Sequence, residues 1–142
     1  MALSDKDLLS VQEARQAVER AFEAQQIWAN ATQQQVDRVC AAMAEVAFLG
    51  AERLGRMAAE ETGFGVPEHK KLKNEFAAQR VWDSIKDIKT VGVINDDPEK
   101  LIYEIAWPMG VVAALIPSTN PTSTTINKIL IAVKARNAIV CA

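Results

Sequence analysis

Residues 111–121 read Val111-Val-Ala-Ala-Leu-Ile-Pro-Ser-Thr-Asn-Pro121, a continuous apolar run that stops at a cluster of turn-forming residues. A run without a polar side is typical of a parallel strand covered on both faces, so 111–116 is predicted to be such a strand. Residues 122–135 then carry apolar side chains at helical spacing, and 138–142 form a second apolar run. This order predicts a β-α-β unit, whose strands normally lie parallel and are joined by a right-handed crossover.

Two strands that are apolar on both faces cannot cover themselves. The chain supplies helices before this unit and nothing after it. We therefore expect the chain to be the N-terminal portion of a longer α/β protein. The alternative is a small helical domain with a two-stranded appendage.

Capping signals predict that the first part of the chain is helical. Ser10 and Glu13 have the spacing of a capping box, so a first helix is expected to begin at Ser10. Thr32 and Gln35 repeat the pattern, and the helix that follows them is expected to run to about Gly50.

Two more helices are predicted after this point. Residues 51–61 continue with helical spacing and stop at Gly63 and Gly65, where positive φ is permitted. Pro67 suits the first turn of a further helix. The residues that this last helix is expected to bury are Leu72, Phe76, Val81 and Ile85.

A β-hairpin is predicted where the helical period ends. Asn95-Asp-Asp-Pro98 has turn chemistry and lies between two segments in which apolar residues alternate. An isolated hairpin is marginal in water, so these strands must pair or pack with something else. The predicted division of the chain is a helical part (1–88), the hairpin (89–107) and the β-α-β unit (108–142).

Composition and charge exclude several classes of protein. The 16 Lys and Arg against 18 Asp and Glu give a net charge of −2, which argues against a nucleic-acid partner. Two cysteines and one histidine cannot build a disulfide framework or a Cys/His metal cluster. The longest apolar stretch, 105–117, is too short to span a membrane, and the first ten residues lack the apolar core of a signal peptide. A cytoplasmic protein is expected.

The segment 117–125 is the main candidate for a binding site. It lies between the carboxyl end of a predicted strand and the amino end of a helix, where ligands bind in open α/β sheets. Asn120 before Pro121 suits the N-cap, and a helix amino terminus favours an anion such as phosphate. Neither GxGxxG nor GxxxxGK[ST] occurs, so hydroxyls and helix amides would have to hold a phosphate. The alternative is that the cluster only turns and caps the chain.

Several other residues are expected to be structural. Cys40 and Cys141 lie in apolar surroundings and are expected in the core. His69 has no second histidine near it and is expected at the surface. The expected packing anchors are Trp28, Trp82 and Trp107, and the lysines expected to face outward from the β-α-β helix are Lys128 and Lys134.

The segment from Pro108 to Lys128, with 132–139, resembles the start of the catalytic domain of the CoA-acylating aldehyde dehydrogenases. This family includes acylating acetaldehyde dehydrogenases and the aldehyde dehydrogenase half of bifunctional aldehyde-alcohol dehydrogenases. Non-acylating relatives have a tryptophan before the asparagine, whereas this chain has Thr119. The resemblance extends upstream through 62–74 and 89–92, and it implies an aldehyde-dehydrogenase-like, Rossmann-type cofactor domain.

The resemblance implies a reaction in which a cysteine thiolate attacks an aldehyde, a hydride passes to NAD or NADP, and coenzyme A removes the acyl group. Asn120 matches the asparagine that donates to the oxygen of the tetrahedral adduct. The residues implied to line the cofactor site are Ser118, Thr119, Asn120, Pro121, Thr122 and Ser123. The family pattern puts the catalytic cysteine and the glycine-containing cofactor loop beyond residue 142. No metal is implied.

The resemblance also implies substrates and partners. Acetaldehyde is the expected aldehyde, with propanal or sulfoacetaldehyde as alternatives. The basic residues Lys70, Lys71, Lys73 and Arg80 are expected on a solvated helix face, although contact with CoA phosphates is an alternative. The hairpin is implied to be an arm that joins the sheet of another subunit, and the alternative is pairing within the same chain. A non-catalytic binding or assembly module remains the second interpretation of the 142 residues.

Overall fold

The computed structural model describes residues 5–142, in which six α-helices surround and precede two small sheets. The elements are α1 (Lys6–Trp28), α2 (Gln33–Leu49), α3 (Ala51–Thr62), α4 (Pro67–Glu75), a π-helical turn (Phe76–Arg80), α5 (Val81–Ile85), β1 (Gly92–Asp97), β2 (Ile102–Ala106), β3 (Val111–Ala114), α6 (Pro121–Lys134) and β4 (Ala138–Cys141). Of the ten residues used to argue against a signal peptide, 1–4 lie outside the described residues. None of the described helices is long and apolar enough to cross a membrane.

The predicted β-α-β unit is confirmed. β3 and β4 pair in parallel, with Val111 opposite Ala138 and Ala114 opposite Cys141, and α6 joins them. Among the described residues β3 is not covered on both faces, since only Ala114 is buried and Leu115 beyond it is 80% exposed, which agrees with the expectation that two such strands cannot cover themselves. Cys141, expected in the core, is exposed for the same reason.

The core lies where α2 packs against α6. Its buried members are Ala31, Val36, Cys40, Ala44 and Leu130. The capping box predicted at the start of α2 is present, with both reciprocal hydrogen bonds formed. Cys40 is in the core as predicted, and burial raises the pKa of its thiol to about 11. Val36, Cys40 and Ala44 thus form the side of α2 that packs in this core.

The first helix begins earlier than the capping pattern predicts. The carboxylate of Asp5 accepts from the amides of Asp7 and Leu8, at 3.0 and 3.3 Å, so the helix begins at Lys6. The predicted start at Ser10 is wrong, because the Ser10 hydroxyl donates to the Lys6 carbonyl one turn back, at 2.9 Å. An aspartate cap was available upstream, and Ser10 became an interior helical residue.

Helix α4 buries a different face from the one predicted. It begins at Pro67 as expected, but Leu72 and Phe76 are 61% and 64% exposed. Helix α3 crosses so closely at Gly55 that a Cβ there would lie 2.7 Å from the backbone nitrogen of Lys71. Helix α3 therefore covers the face of α4 that carries Lys70 and Asn74. The residues buried there and in the π-helical turn are Lys70, Asn74, Ala77 and Ala78.

The prediction that Lys134 faces outward is wrong, because this residue is buried and only 3% exposed. Its ammonium donates to the carboxylate of Asp37 and to the Lys86 carbonyl, and it lies 5.6 Å from the centre of the Trp82 ring. These partners on α2 and α5 compensate the buried charge. The charge of Lys134 thus ties three helices together instead of solvating the outside of α6.

The predicted hairpin is confirmed, with β1 and β2 antiparallel and a β-bulge between Val93 and Asn95. Its base is attached to the body, since Arg136 donates to the Ala106 carbonyl at 3.0 Å. Beyond the base the side chains are exposed, and Trp107, expected as a packing anchor, is 81% exposed. Trp28, by contrast, packs against the core, and its indole N–H donates to the Val133 carbonyl at 3.1 Å.

Candidate functional site

The segment that leaves β3 and enters α6, residues 115–120, is irregular and contains one turn. Ser118 and Thr119 lie in the turn, and Pro121 is the first residue of α6. Asn120 is the N-cap residue, as predicted, but its side chain does not cap the helix. Its backbone φ and ψ of −143° and 60° lead the chain from the turn into the helix. The side-chain amide of Asn120 is therefore available for contacts outside α6.

Helix α4 supplies two ammonium groups to this turn. Lys70 Nζ donates to the Thr119 carbonyl at 2.9 Å, and Lys73 Nζ donates to Asn120 Oδ1 at 2.8 Å. Lys70 is only 5% exposed. The prediction of a solvated face is wrong for Lys70, which is buried against the turn, whereas Lys73 is exposed as predicted and reaches Asn120 from the surface. Their neighbour His69 is exposed, as predicted.

Asn74 connects α4 to both of its neighbouring helices. Its Nδ2 donates to the Ala51 carbonyl at 3.0 Å, and its Oδ1 accepts from the Thr122 hydroxyl at 2.8 Å. The side chain is fully buried. One amide thus fixes α4 against α3 on one side and against the first turn of α6 on the other.

The polar contacts between α4 and the turn form one cluster, which we call the α4 junction. Its members are Lys70, Lys73 and Asn74 on one side and Thr119, Asn120 and Thr122 on the other. Sequence reasoning named the second group and, among basic residues, Lys70 and Lys73, but it did not single out Asn74 and did not predict that the two groups meet. The signal was present, since residues 70, 73, 74 and 77 follow the i, i+3, i+4, i+7 spacing of one helix face. It was missed because that face is polar, whereas the apolar residues of the same helix suggested the opposite side.

Hydrogen-bond donors at the turn remain free. Within residues 5–142, Asn120 Nδ2 donates to no acceptor, and neither do the backbone amides of Thr122 and Ser123. These amides belong to the first turn of α6, where the helix dipole favours negative charge. The arrangement is thus suited to binding oxygen atoms that carry or develop negative charge.

An open groove runs beside these donors, between α4 and α6. Its volume is about 480 Å³. The side chains that line it are Leu72, Lys73, Phe76, Ala77, Ser123, Thr124 and Asn127. The exposed Leu72 and Phe76, which the sequence pattern placed in the core, form part of the apolar wall of this groove.

The six residues predicted to line a cofactor site form one contiguous turn and helix start. Ser118 and Thr119 are exposed, and the other four, from Asn120 to Ser123, are half-buried. The structure brings them together with Lys70 and Lys73. Their roles toward a ligand remain predictions.

Comparison with known proteins establishes the family. Residues 4–142 match the aldehyde dehydrogenase family, and the chain belongs to that family. The resemblance found in the sequence is confirmed, because the similar proteins include acetylating and acylating members.

Two curated relatives illustrate the match. The chain is 42% identical over 131 residues to the bifunctional aldehyde-alcohol dehydrogenase of Escherichia coli, covering 92% of this chain and 15% of that protein. It is 39% identical over 128 residues to a succinate-semialdehyde dehydrogenase (acetylating) of Clostridium kluyveri, covering 90% of this chain and 28% of the relative.

A solved structure gives the same result. The acetylating aldehyde dehydrogenase of Geobacillus thermoglucosidasius is 57% identical, with a TM-score of 0.95 over 98% of this chain and 31% of that one. The chain therefore spans less than a third of the length of each of these three proteins. The predicted fold class is confirmed by this match.

Proposed function

We propose that the complete protein is a CoA-acylating aldehyde dehydrogenase. The reaction converts an aldehyde, CoA and NAD(P)+ into acyl-CoA, NAD(P)H and a proton. Family membership and the likeness to enzymes named as acylating support this class. The role proposed for Asn120 rests on one observation. Its Nδ2 has no acceptor among the described residues, while its Oδ1 accepts from Lys73 at the amino end of α6.

In this proposal, Asn120 stabilises the oxygen of the tetrahedral adduct. Attack of a thiolate on the aldehyde carbon converts the carbonyl oxygen into an oxyanion. A donor already in place for that oxygen lowers the barrier by about 3 kcal/mol. Asn120 is half-buried and is the N-cap residue of α6, directly before the first helical residue. Attachment to the end of a helix is suited to a preorganised donor.

The attacking cysteine is proposed to lie outside residues 1–142. Cys40 is buried, and a thiol whose pKa is raised to about 11 supplies little thiolate at neutral pH. Cys141 lies in strand β4. The chain therefore contributes the oxyanion donor to the reaction, and the family resemblance assigns the nucleophile to a later segment.

The amino end of α6 is proposed to bind the nicotinamide dinucleotide, as NAD or NADP. The free amides of Thr122 and Ser123 and the nearby hydroxyls fit a phosphate group without a glycine-rich loop. When bound, the dinucleotide supplies the hydride acceptor. The residues proposed to line this site are Ser118, Thr119, Asn120, Pro121, Thr122 and Ser123.

The substrate is proposed to be a short aldehyde, with acetaldehyde first. The similar proteins are named for acetyl transfer, succinate semialdehyde, sulfoacetaldehyde and propionaldehyde. The common chemistry of these names is an aldehyde carried on to an acyl-CoA. An assay of CoA-dependent NAD(P)H formation with this panel of aldehydes tests the substrate class.

Replacement of Asn120 tests the assignment directly. In the complete protein, Asn120→Ala is expected to lower turnover by ~10²-fold, because one oxyanion donor is lost. The measurement is the rate of CoA-dependent NAD(P)H formation at saturating aldehyde. Lys71→Met, whose side chain pairs with Glu52 and Glu75 away from the turn, serves as the control and should retain turnover. Near-normal turnover of Asn120→Ala would contradict the assignment.

The β-hairpin supports a second proposal, an assembly arm. Its two strands pair only with each other among the described residues, so each has a free edge. Ile105 and Tyr103 on one face are 62% and 66% exposed. Free edges with apolar side chains are suited to pairing with a sheet of another subunit.

A further inference from the structure

The side-chain amide of Asn120 is held from one side by an ammonium group. Lys73 Nζ lies 2.8 Å from Asn120 Oδ1. An ammonium group is only a donor, so it can face the oxygen of the amide but not its NH₂ group. Lys73 therefore selects one of the two orientations that a side-chain amide can adopt. In that orientation Nδ2 is directed away from Lys73.

The peptide group next to Asn120 is held in a similar way. Lys70 Nζ donates to the Thr119 carbonyl at 2.9 Å, and this side chain is 5% exposed. The ion pairs among residues 5–142 do not include Lys70. Buried lysines are rare unless paired, and here the partner of the charge is the turn itself. Lys70 thus fixes the backbone from which the Asn120 side chain projects.

Both lysines stand on a helix that is packed on two sides, and of the two Lys70 is buried while Lys73 is exposed. They are three residues apart on α4, and therefore on one face of the helix. The close contact at Gly55 and the two hydrogen bonds of Asn74 prevent α4 from shifting relative to α3 and α6. A side chain carried on such an element can hold another side chain at a defined angle.

We propose that Lys73 is a positioning residue that holds the Asn120 amide with Nδ2 directed at the carbonyl oxygen of the bound aldehyde, while Lys70 fixes the turn. This inference rests on the proposed function of Asn120. A positive charge beside Oδ1 also polarises the amide, so that Nδ2 becomes a stronger donor. Lys73 acts through Asn120 and not by contact with the aldehyde.

A double-mutant cycle in the complete enzyme tests this inference. Lys73→Met is expected to lower kcat about tenfold while the KM for aldehyde stays within about twofold, because an oxyanion donor acts mainly in the transition state. Lys73→Arg, which keeps a cationic donor, should retain most of the rate. In an Asn120→Ala background, Lys73→Met should cause no further loss, since the group it acts through is gone.

Lys71→Met is the matched control. Lys71 is the neighbouring lysine on α4, and it pairs with Glu52 and Glu75 away from the turn. This variant should keep the kcat of the unchanged enzyme. Thermal midpoints of all variants show whether the fold is retained, and Lys73→Gln, which also removes the charge, should lower kcat in the same way if Lys73→Met unfolds.

The possible outcomes distinguish a failure of the positioning role of Lys73 from a failure of the function proposed for Asn120. A tenfold loss from Lys73→Met that persists in the Asn120→Ala background would overturn the positioning role and leave the function of Asn120 intact. A rise in the KM for CoA or NAD(P)+ with unchanged kcat would also overturn it, because Lys73 would then bind a phosphate. Full activity of Asn120→Ala would instead remove the proposed function and this inference with it.

Discussion

The α4 junction and the β-hairpin are both built on segments that the sequence marked as candidates, but they are held in different ways. At the junction, buried side chains such as Lys70 and Asn74 hydrogen-bond to three separate elements. The hairpin is attached at its base and exposes Tyr103, Ile105 and Trp107. Tertiary contacts within the chain thus hold the junction in place, whereas the described residues leave these hairpin side chains exposed.

The largest expected effect on stability comes from Gly55→Ala. A Cβ at this position meets backbone atoms of α4 at 2.7 Å (Lys71 N) and 3.1 Å (Pro67 O), so α3 and α4 must move apart. We expect a loss of about 3 kcal/mol in the free energy of unfolding, as for an overpacked core. Urea unfolding measures it, and the exposed Arg56→Ala should change the value by less than about 0.5 kcal/mol. An increase in stability, the usual result of Gly→Ala in a helix, would show that the two helices are not in close contact.

A smaller effect is expected from Asn74→Ala. The change removes two hydrogen bonds and leaves the Ala51 carbonyl and the Thr122 hydroxyl without their partner. We expect a loss of about 2 kcal/mol, because buried polar groups left unpaired are costly. The exposed Gln79→Ala in the adjoining π-helical turn is the control, and equal unfolding midpoints for both variants would contradict the junction described above.

The smallest effect on stability is expected in the hairpin. Replacing both Tyr103 and Ile105 by lysine should change the free energy of unfolding by less than about 0.5 kcal/mol, since both side chains are exposed. The same change should lower the mass of the complete protein in solution, measured by light scattering, if the hairpin joins another subunit. Glu104→Lys, on the other face of β2, is the control. An unchanged oligomer would remove the assembly-arm proposal.

Local sequence signals predicted the elements well. The capping box at Thr32, the glycine at 63 and the order strand, turn, helix, strand in 111–142 all appear in the structure. Such signals depend on neighbours within about four residues and are therefore visible in the sequence. Asn120 was recognised in the same way, from its position before Pro121 and from the family resemblance.

Burial was predicted less well, and lysines account for much of the difference. Lys70 and Lys134 were expected at the surface but are 5% and 3% exposed, because acceptors on other elements receive their ammonium groups. Cys141 and Leu115 were expected in the core, yet no described element covers them. Hydrophobicity indicates that a side chain can be buried, but whether it is buried depends on what packs against it.

The amino-acid sequence by itself determined the helices, the hairpin, the β-α-β unit and the position of Asn120 at the start of α6, since periodicity and turn chemistry act over short distances. Only the tertiary structure decided that the polar face of α4 meets the turn and that Lys73 donates a hydrogen bond to the Asn120 side chain. Those contacts join residues 47 and more positions apart, and Asn74 links α4 to the first turn of α6 beside them. That geometry depends on packing between helices, which no local pattern records.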